Sequence, residues 1–205
     1  MTSLGKKLPL SFYRQEDVLA ISRQLLGKYL FTCFDGALTG GMIVETEAYR
    51  APDDRASHAY GMRRTKRNES MYQAGGICYI YLCYGLHTLF NIVTNQYGIP
   101  HAILIRALEP AVGIETMIQR RHKKKVDRSL TGGPGAMAQA LGLTLKHNGL
   151  SLRGPDIWVE DKGVLVLDND VLASPRVGVA YAGEDALLPW RFRLKNSKFT
   201  SVAKS

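Results

Sequence analysis

The chain has 205 residues and a mass of 22.7 kDa, and its 45% hydrophobic content is enough to fill one core, so a single domain spanning 1–205 is expected. A net charge of +9 at pH 7 and a pI near 9.5 favour a polyanionic partner, because Lys and Arg gain free energy by displacing counterions from phosphates. Charge alone leaves DNA, RNA, an anionic membrane surface and an indifferent basic surface open. Three cysteines with no CxxC pair argue against a disulfide scaffold or a thiolate metal site, and five histidines without HxxxH spacing indicate no zinc or iron centre. No metal and no cofactor are expected. Twenty glycines and eight prolines against 22% charged residues suit a sheet-rich or mixed fold better than a helical bundle. The start MTSLGKKLPL lacks a long apolar run, and the most apolar stretch, 77–93, is broken by Tyr, His and Asn. A soluble intracellular protein with no membrane partner is the expectation.

In chain order, Val18, Ile21 and Leu25 recur at helical spacing between Asp17 and Leu26, and Gly27 stands where such a helix stops. Lys28 to Phe34 reads as a strand, Asp35-Gly36 as a tight turn and Leu38 to Tyr49 as a returning strand. Glu45 and Glu47 are two apart on it and share a face. Residues 50–76, with RAPDD, RRTKRN and Gly75-Gly76, read as a long connection rather than a buried element. ICYIYLCYG (77–85), LFNIV and AILIRAL read as strands of one antiparallel sheet, with Tyr79 and Tyr81 on one face and Tyr84-Gly85 near a turn. Pro110 suits the first turn of a helix carrying Ile114, Met117 and Ile118 and ending in RRHKKK, most simply a solvated helix end. TGGPG opens a further short helix and is far from a nucleotide-binding GxxxxGK[ST] pattern. IWVE, VLVLD, RVGVAY and WRFRL read as short strands.

An acidic residue in the apolar strand GMIVETEAY is costly to bury unless something pairs with it or uses it, which makes Glu47 the leading catalytic candidate. Taken alone, a strand glutamate is more often half-exposed or salt-bridged than catalytic. Tyr49 on the same face, His58 in the following loop and the downstream tyrosines allow acid/base and aromatic groups to converge on one pocket. By pattern, Tyr79, Tyr81 and Tyr84 are better explained as a well-packed strand, although rings beside a basic chain also suit stacking on bases. Asn91 and Arg106 interrupt apolar strands, and a buried arginine needs a carboxylate or a phosphate, which Glu47 or DNA could supply.

The segments IVETEAY (43–49), ASHAYG (56–61), TKRN (65–68), YIYLCYG (79–85), LIRALEP (104–110), GGPG with AQALG (132–142) and RVGVAYAGE (176–184) run in order across almost the whole chain. In these segments the chain resembles the alkyladenine (3-methyladenine) DNA glycosylase family, the one with its own mixed fold rather than a helix-hairpin-helix. The resemblance implies a mixed α/β (α+β) domain around a curved antiparallel sheet with peripheral helices. It implies a base-excision-repair enzyme that flips alkylated or deaminated purines from double-stranded DNA and hydrolyses the N-glycosidic bond. It implies Glu47 as the general base, Tyr49 and His58 on either side of the flipped base, Tyr81 at the pocket edge, Asn91 at its floor, Arg106 beside the water and a phosphate, and Tyr84 as the wedge in the duplex.

The chemistry suits these residue types. Alkylation at N3 or N7 makes a purine cationic, a good leaving group and a partner for electron-rich rings. Attack at C1′ passes through an oxocarbenium-like transition state, where a carboxylate both takes the water's proton and faces developing positive charge. No lysine neighbours Glu47, so a monofunctional enzyme that leaves an abasic site is expected. Arg63, Arg64, Lys66 and Arg67 are candidate contacts to the DNA backbone. A monomer in the cytoplasm, associated with the nucleoid of a prokaryote, is expected. Two rivals stand beside this reading: a nucleic-acid binder that stacks bases without cutting, and a different hydrolase or transferase acting on a nucleotide or formyl-type small substrate.

Overall fold

The computed structural model describes residues 5–201. Strand β1 (Lys6–Lys7) and helix α1 (Leu10–Tyr13) precede α2 (Val18–Gln24). Asp17 caps α2, its Oδ1 accepting from the amides of Leu19 (2.8 Å) and Ala20 (3.0 Å), which supplies partners for the free donors of the first turn. Strands β2 (Tyr29–Phe34) and β3 (Ala37–Tyr49) form a hairpin about Asp35-Gly36. Both turn residues have positive φ, 52° and 78°, and two left-handed residues match the twist of the flanking strands. Then come β4 (Cys78–Cys83), β5 (His87–Thr94), β6 (His101–Val112), α3 (Ile114–Arg120), α4 (Pro134–Ala140), β7 (Ile157–Asp161), β8 (Val171–Ser174) and β9 (Arg191–Leu194).

All the strand pairs are antiparallel, and the sheet runs β1-β7-β2-β3-β6-β5-β4 without closing. It branches at β3, whose first half pairs with β2 while Glu45–Glu47 pair with Arg191–Arg193 of β9, itself paired with β8. Helix α2 buries Val18 and Ile21 against Ile43, Ile103 and Ile105 of the sheet, and α4 adds Met137 and Ala138. Among the described residues no helix is long and apolar enough to cross a membrane.

Four sequence expectations are corrected. Pro110 lies in β6, opposite Gly41, where the β3–β6 register shifts; a residue without an N–H is tolerated at such an irregularity, and the helix starts after Gly113, whose φ is 69°. VLVLD runs extended with no strand partner and leads into a turn at Asp168, leaving Leu165 and Leu167 exposed; β-propensity without a free sheet edge makes no strand. RVGVAY is likewise a loop, turning at Gly178 (φ 76°). The connection 50–76 has no strand, but it is packed rather than superficial: Ala51, Ala59, Met71 and Tyr72 form a second small core with Tyr79, Val93 and Ala102.

Candidate active site

One cavity of about 1040 Å³ opens where β3, β4, β5 and β6 meet the 50–76 connection, the N-terminal end of α4 and the 176–181 loop. Its wall includes Tyr49, His58, Tyr81, Asn91 and Arg106, so the structure brings together five of the residues singled out from the sequence. Tyr84, Arg63 and Arg67 stand at the same cavity, whereas Arg64 and Lys66 do not line it. Glu47 is fully buried one layer behind the wall, and its three partners, Tyr49, Arg106 and Val177, separate it from the cavity.

The Glu47 carboxylate is held from three elements. Its Oε1 accepts from the Val177 amide at 2.8 Å and lies 3.2 Å from Nη1 of Arg106, while its Oε2 accepts from the Tyr49 hydroxyl at 2.8 Å. An ionised carboxylate has about four lone-pair sites, so one on Oε2 is left over. Burial, followed by the field of Glu47, raises the Tyr49 phenol well above its ordinary value, which keeps it protonated as a donor.

Arg106 reaches both carboxylates of β3 because the ladder is irregular there. Ile43 faces Leu108, Glu45 faces Ala107 and Thr46 faces Ile105, leaving Val44 and Arg106 each without an opposite residue. Such paired bulges bend and re-aim the local backbone. Arg106 donates Nε to Glu45 at 2.9 Å while Nη1 meets Glu47. Burial disfavours its charge, but Glu47 and Glu45 outweigh burial and hold the guanidinium above its ordinary pKa.

The aromatic wall follows from strand periodicity. Tyr79 and Tyr81 stack at 5.4 Å on one face of β4, and the His58 ring meets Tyr81 edge-on at 4.6 Å. His58 Nδ1 is 2.9 Å from the Tyr79 hydroxyl, and Asn91 donates Nδ2 to the Tyr79 carbonyl at 3.0 Å, which fixes its amide beside the cavity. Burial, then Arg67 and Arg63, pull the His58 pKa down to about 4, so the ring is neutral at pH 7.

At the cavity mouth, Tyr84-Gly85 form the turn between β4 and β5, closed by the Leu86 amide donating to Cys83 C=O at 3.1 Å. Tyr84 is 87% exposed and carries a φ of 51°, unusual for a residue with a bulky side chain. Of the basic run, Arg64 pairs with Glu69 and lies over Tyr72, Arg67 lies over Tyr81, and Arg63 and Lys66 are exposed.

The sequence reading missed the loop that holds Glu47 from the far side. Arg176 makes a two-pronged bond to Asp54 (2.6 and 2.8 Å), with both side chains fully buried, and donates to Ala48 C=O at 2.8 Å. Its guanidinium lies 4.8 Å from the Tyr49 ring, and the next residue supplies the amide to Glu47. A main-chain donor leaves no mark on the sequence; the only available signal was RVGV itself, which matched the family pattern.

A family model described as "Methylpurine-DNA glycosylase" matches residues 11–198. A Chlamydia felis protein carrying the name "Putative 3-methyladenine DNA glycosylase" is 50% identical over 196 residues, covering 95% of this chain and all of its own length. Identically named proteins of Chlamydia abortus (48% identical; 91% of this chain, 97% of their own) and Bacillus cytotoxicus (42%; 95% and 99%) extend the likeness. With the match spanning nearly the whole chain, including every element that meets at the cavity, this protein is a DNA glycosylase and belongs to the methylpurine-DNA glycosylase family.

Proposed function

We propose that the chain flips a damaged purine out of double-stranded DNA and hydrolyses its bond to deoxyribose with a water activated by Glu47. The carrying observation is the buried Glu47 carboxylate, fixed by Val177, Arg106 and Tyr49 behind a cavity walled with aromatic rings. Tyr49 and His58 take the base between them, Tyr81 and Asn91 bound its edge, and Tyr84 fills the vacated stack. A neutral His58 suits a cationic purine, since a charged imidazole would repel it.

In the chemical step the water oxygen bonds to C1′ as the N-glycosidic bond breaks. The bond's electron pair leaves with the purine, and the water proton passes to the free lone pair of Glu47 Oε2. Arg106 stays charged and orients the carboxylate. Because Glu47 is fully covered, water reaches Oε2 as Tyr49 or the 176–179 loop yields to the incoming nucleotide.

The substrates are alkylated and deaminated purines of the 3-methyladenine, 7-methylguanine, hypoxanthine and ethenoadenine class, and the product is an abasic site, formed by a monomer in the cytoplasm without metal. Arg63, Arg64, Lys66 and Arg67 contact the DNA backbone. The test is release of purine from alkylated duplex in EDTA. Glu47→Gln is expected to lower the single-turnover rate by roughly 10²–10⁴-fold while lesion-duplex binding persists; undiminished excision by that variant would overturn the assignment.

A further inference from the structure

The site contains a second buried carboxylate that the proposed reaction does not consume. Glu45 is fully buried, and four donors converge on it: Arg106 Nε (2.9 Å), Arg191 Nε (2.7 Å) and the Ser201 hydroxyl (2.7 Å) on Oε1, and the Ser201 amide (2.5 Å) on Oε2. Burial works against its ionisation, but Arg106, Arg191 and the two Ser201 hydrogen bonds outweigh burial and hold the carboxyl below its ordinary value. Glu45 is therefore an anion two residues from a second carboxylate, with Arg106 spanning both.

The division of Arg106 between them decides what Glu47 is left with. A guanidinium presents its N–H groups as a fork that fits one carboxylate in a two-pronged grip. Here Glu45 takes Nε, and Glu47 receives Nη1 alone at 3.2 Å. Released from Glu45, the fork would be free to close on Glu47 and occupy the Oε2 lone pair that the proton needs. Arg191, paired opposite Glu47 in β9, is turned to Glu45 by its Nε and braced by the Ser201 carbonyl at 3.4 Å.

We infer that Glu45 is a positioning residue for excision: with Ser201 behind it, it retains Arg106 in a one-pronged contact with Glu47 and so leaves a lone pair on Glu47 Oε2 free to take the water's proton. The inference rests on the reading of Glu47 as the general base. The charged and titratable groups around Glu47 are Glu45 and Tyr49 on its own strand, Arg106 on β6, Arg191 on β9, Tyr81 on β4 and Arg176 in the loop. Of these, Glu45 is the one whose neutralisation releases Arg106 toward Glu47.

Glu45→Gln keeps the shape and removes the charge. Its single-turnover excision rate on alkylated duplex is measured against pH, beside its binding to lesion duplex and its thermal unfolding. The expected result is a plateau rate reduced about 10-fold or more, an acidic limb displaced to lower pH because one negative charge has left the site, and binding within about 3-fold of the parent. A residue that merely supports the fold would lower the unfolding temperature without moving the limb. Ser201→Ala, which deletes one hydroxyl, is expected to move limb and plateau the same way by less. A folded Glu45→Gln protein with the parent's limb and plateau overturns the inference; should that variant not fold, a Ser201→Ala profile identical to the parent's overturns it instead. Excision persisting in Glu47→Gln would sink the general-base reading, whereas an inactive Glu47→Gln with an unmoved Glu45→Gln profile would sink only the role of Glu45.

Discussion

The Val177 amide lies 2.8 Å from Oε1 of Glu47 although 130 residues separate them, and the buried Arg176–Asp54 pair next to it fixes that approach. Removing one partner of a fully buried pair leaves an uncompensated charge. Asp54→Ala is therefore expected to cost about 3–5 kcal/mol of stability by urea unfolding. Excision should fall roughly 10²-fold at saturating enzyme, because the loop that orients Glu47 loses its anchor.

Tyr84 separates stability from function. Its side chain is exposed and its φ of 51° suits glycine, so Tyr84→Gly should leave the unfolding midpoint unchanged or raise it by up to about 1 kcal/mol. The same change should weaken capture of a lesion duplex by about 10-fold or more, read by a fluorescent base analogue. Unaltered capture would refute the wedge role.

His58 makes stability depend on pH. Burial, then Arg67 and Arg63, lower its pKa from 6.5 to about 4, so the folded chain binds fewer protons than the unfolded one between those values. Stability contributed by the neutral ring is complete above pH 6.5 and is lost as pH falls toward 4. His58→Gln should flatten the urea midpoint across that window by up to about 3 kcal/mol. His101 and His147, also lowered chiefly by burial, add slope of the same sign, and the lowered carboxyl of Glu45 adds to it toward pH 4.

The basic connection should divide by its pairing. Arg63 and Lys66 are exposed, and among the described residues neither is in a salt bridge, whereas Arg64 is committed to Glu69. Changing Arg63 or Lys66 to Ala is expected to reduce the slope of log K against log salt by about 1 each. Arg64→Ala should reduce it by less. Equal effects at all three positions would mean that DNA displaces Glu69.

Sheet and pocket were legible where chemistry leaves a local trace. Strongly β-prone runs in β4 to β6 announced strands, Asp35-Gly36 announced a hairpin, and Glu47 and Arg106 stood out as charges in apolar surroundings. What could not be read depends on distant partners. VLVLD has strand composition but no edge to join, Pro110 is absorbed by a register shift opposite Gly41, and the grip of Val177 on Glu47 comes from a backbone N–H. At Gly41, an added Cβ would lie 2.4 Å from the Glu109 carbonyl, a close approach visible only once β3 and β6 are paired.

The branching of the sheet at β3 also makes the surroundings of Glu45 and Glu47 depend on the last strand of the chain. Glu45 and Glu47 are made early, Arg106 midway, and Arg176, Val177, Arg191 and Ser201 near the end. A nascent chain halted before β9 thus has both carboxylates, Arg106 and the Val177 amide, but neither the Arg191 guanidinium nor the Ser201 donors that hold Glu45. On the proposed roles of Glu45 and Glu47, the hold on the two carboxylates is complete only when the last strand and Ser201 have joined the sheet.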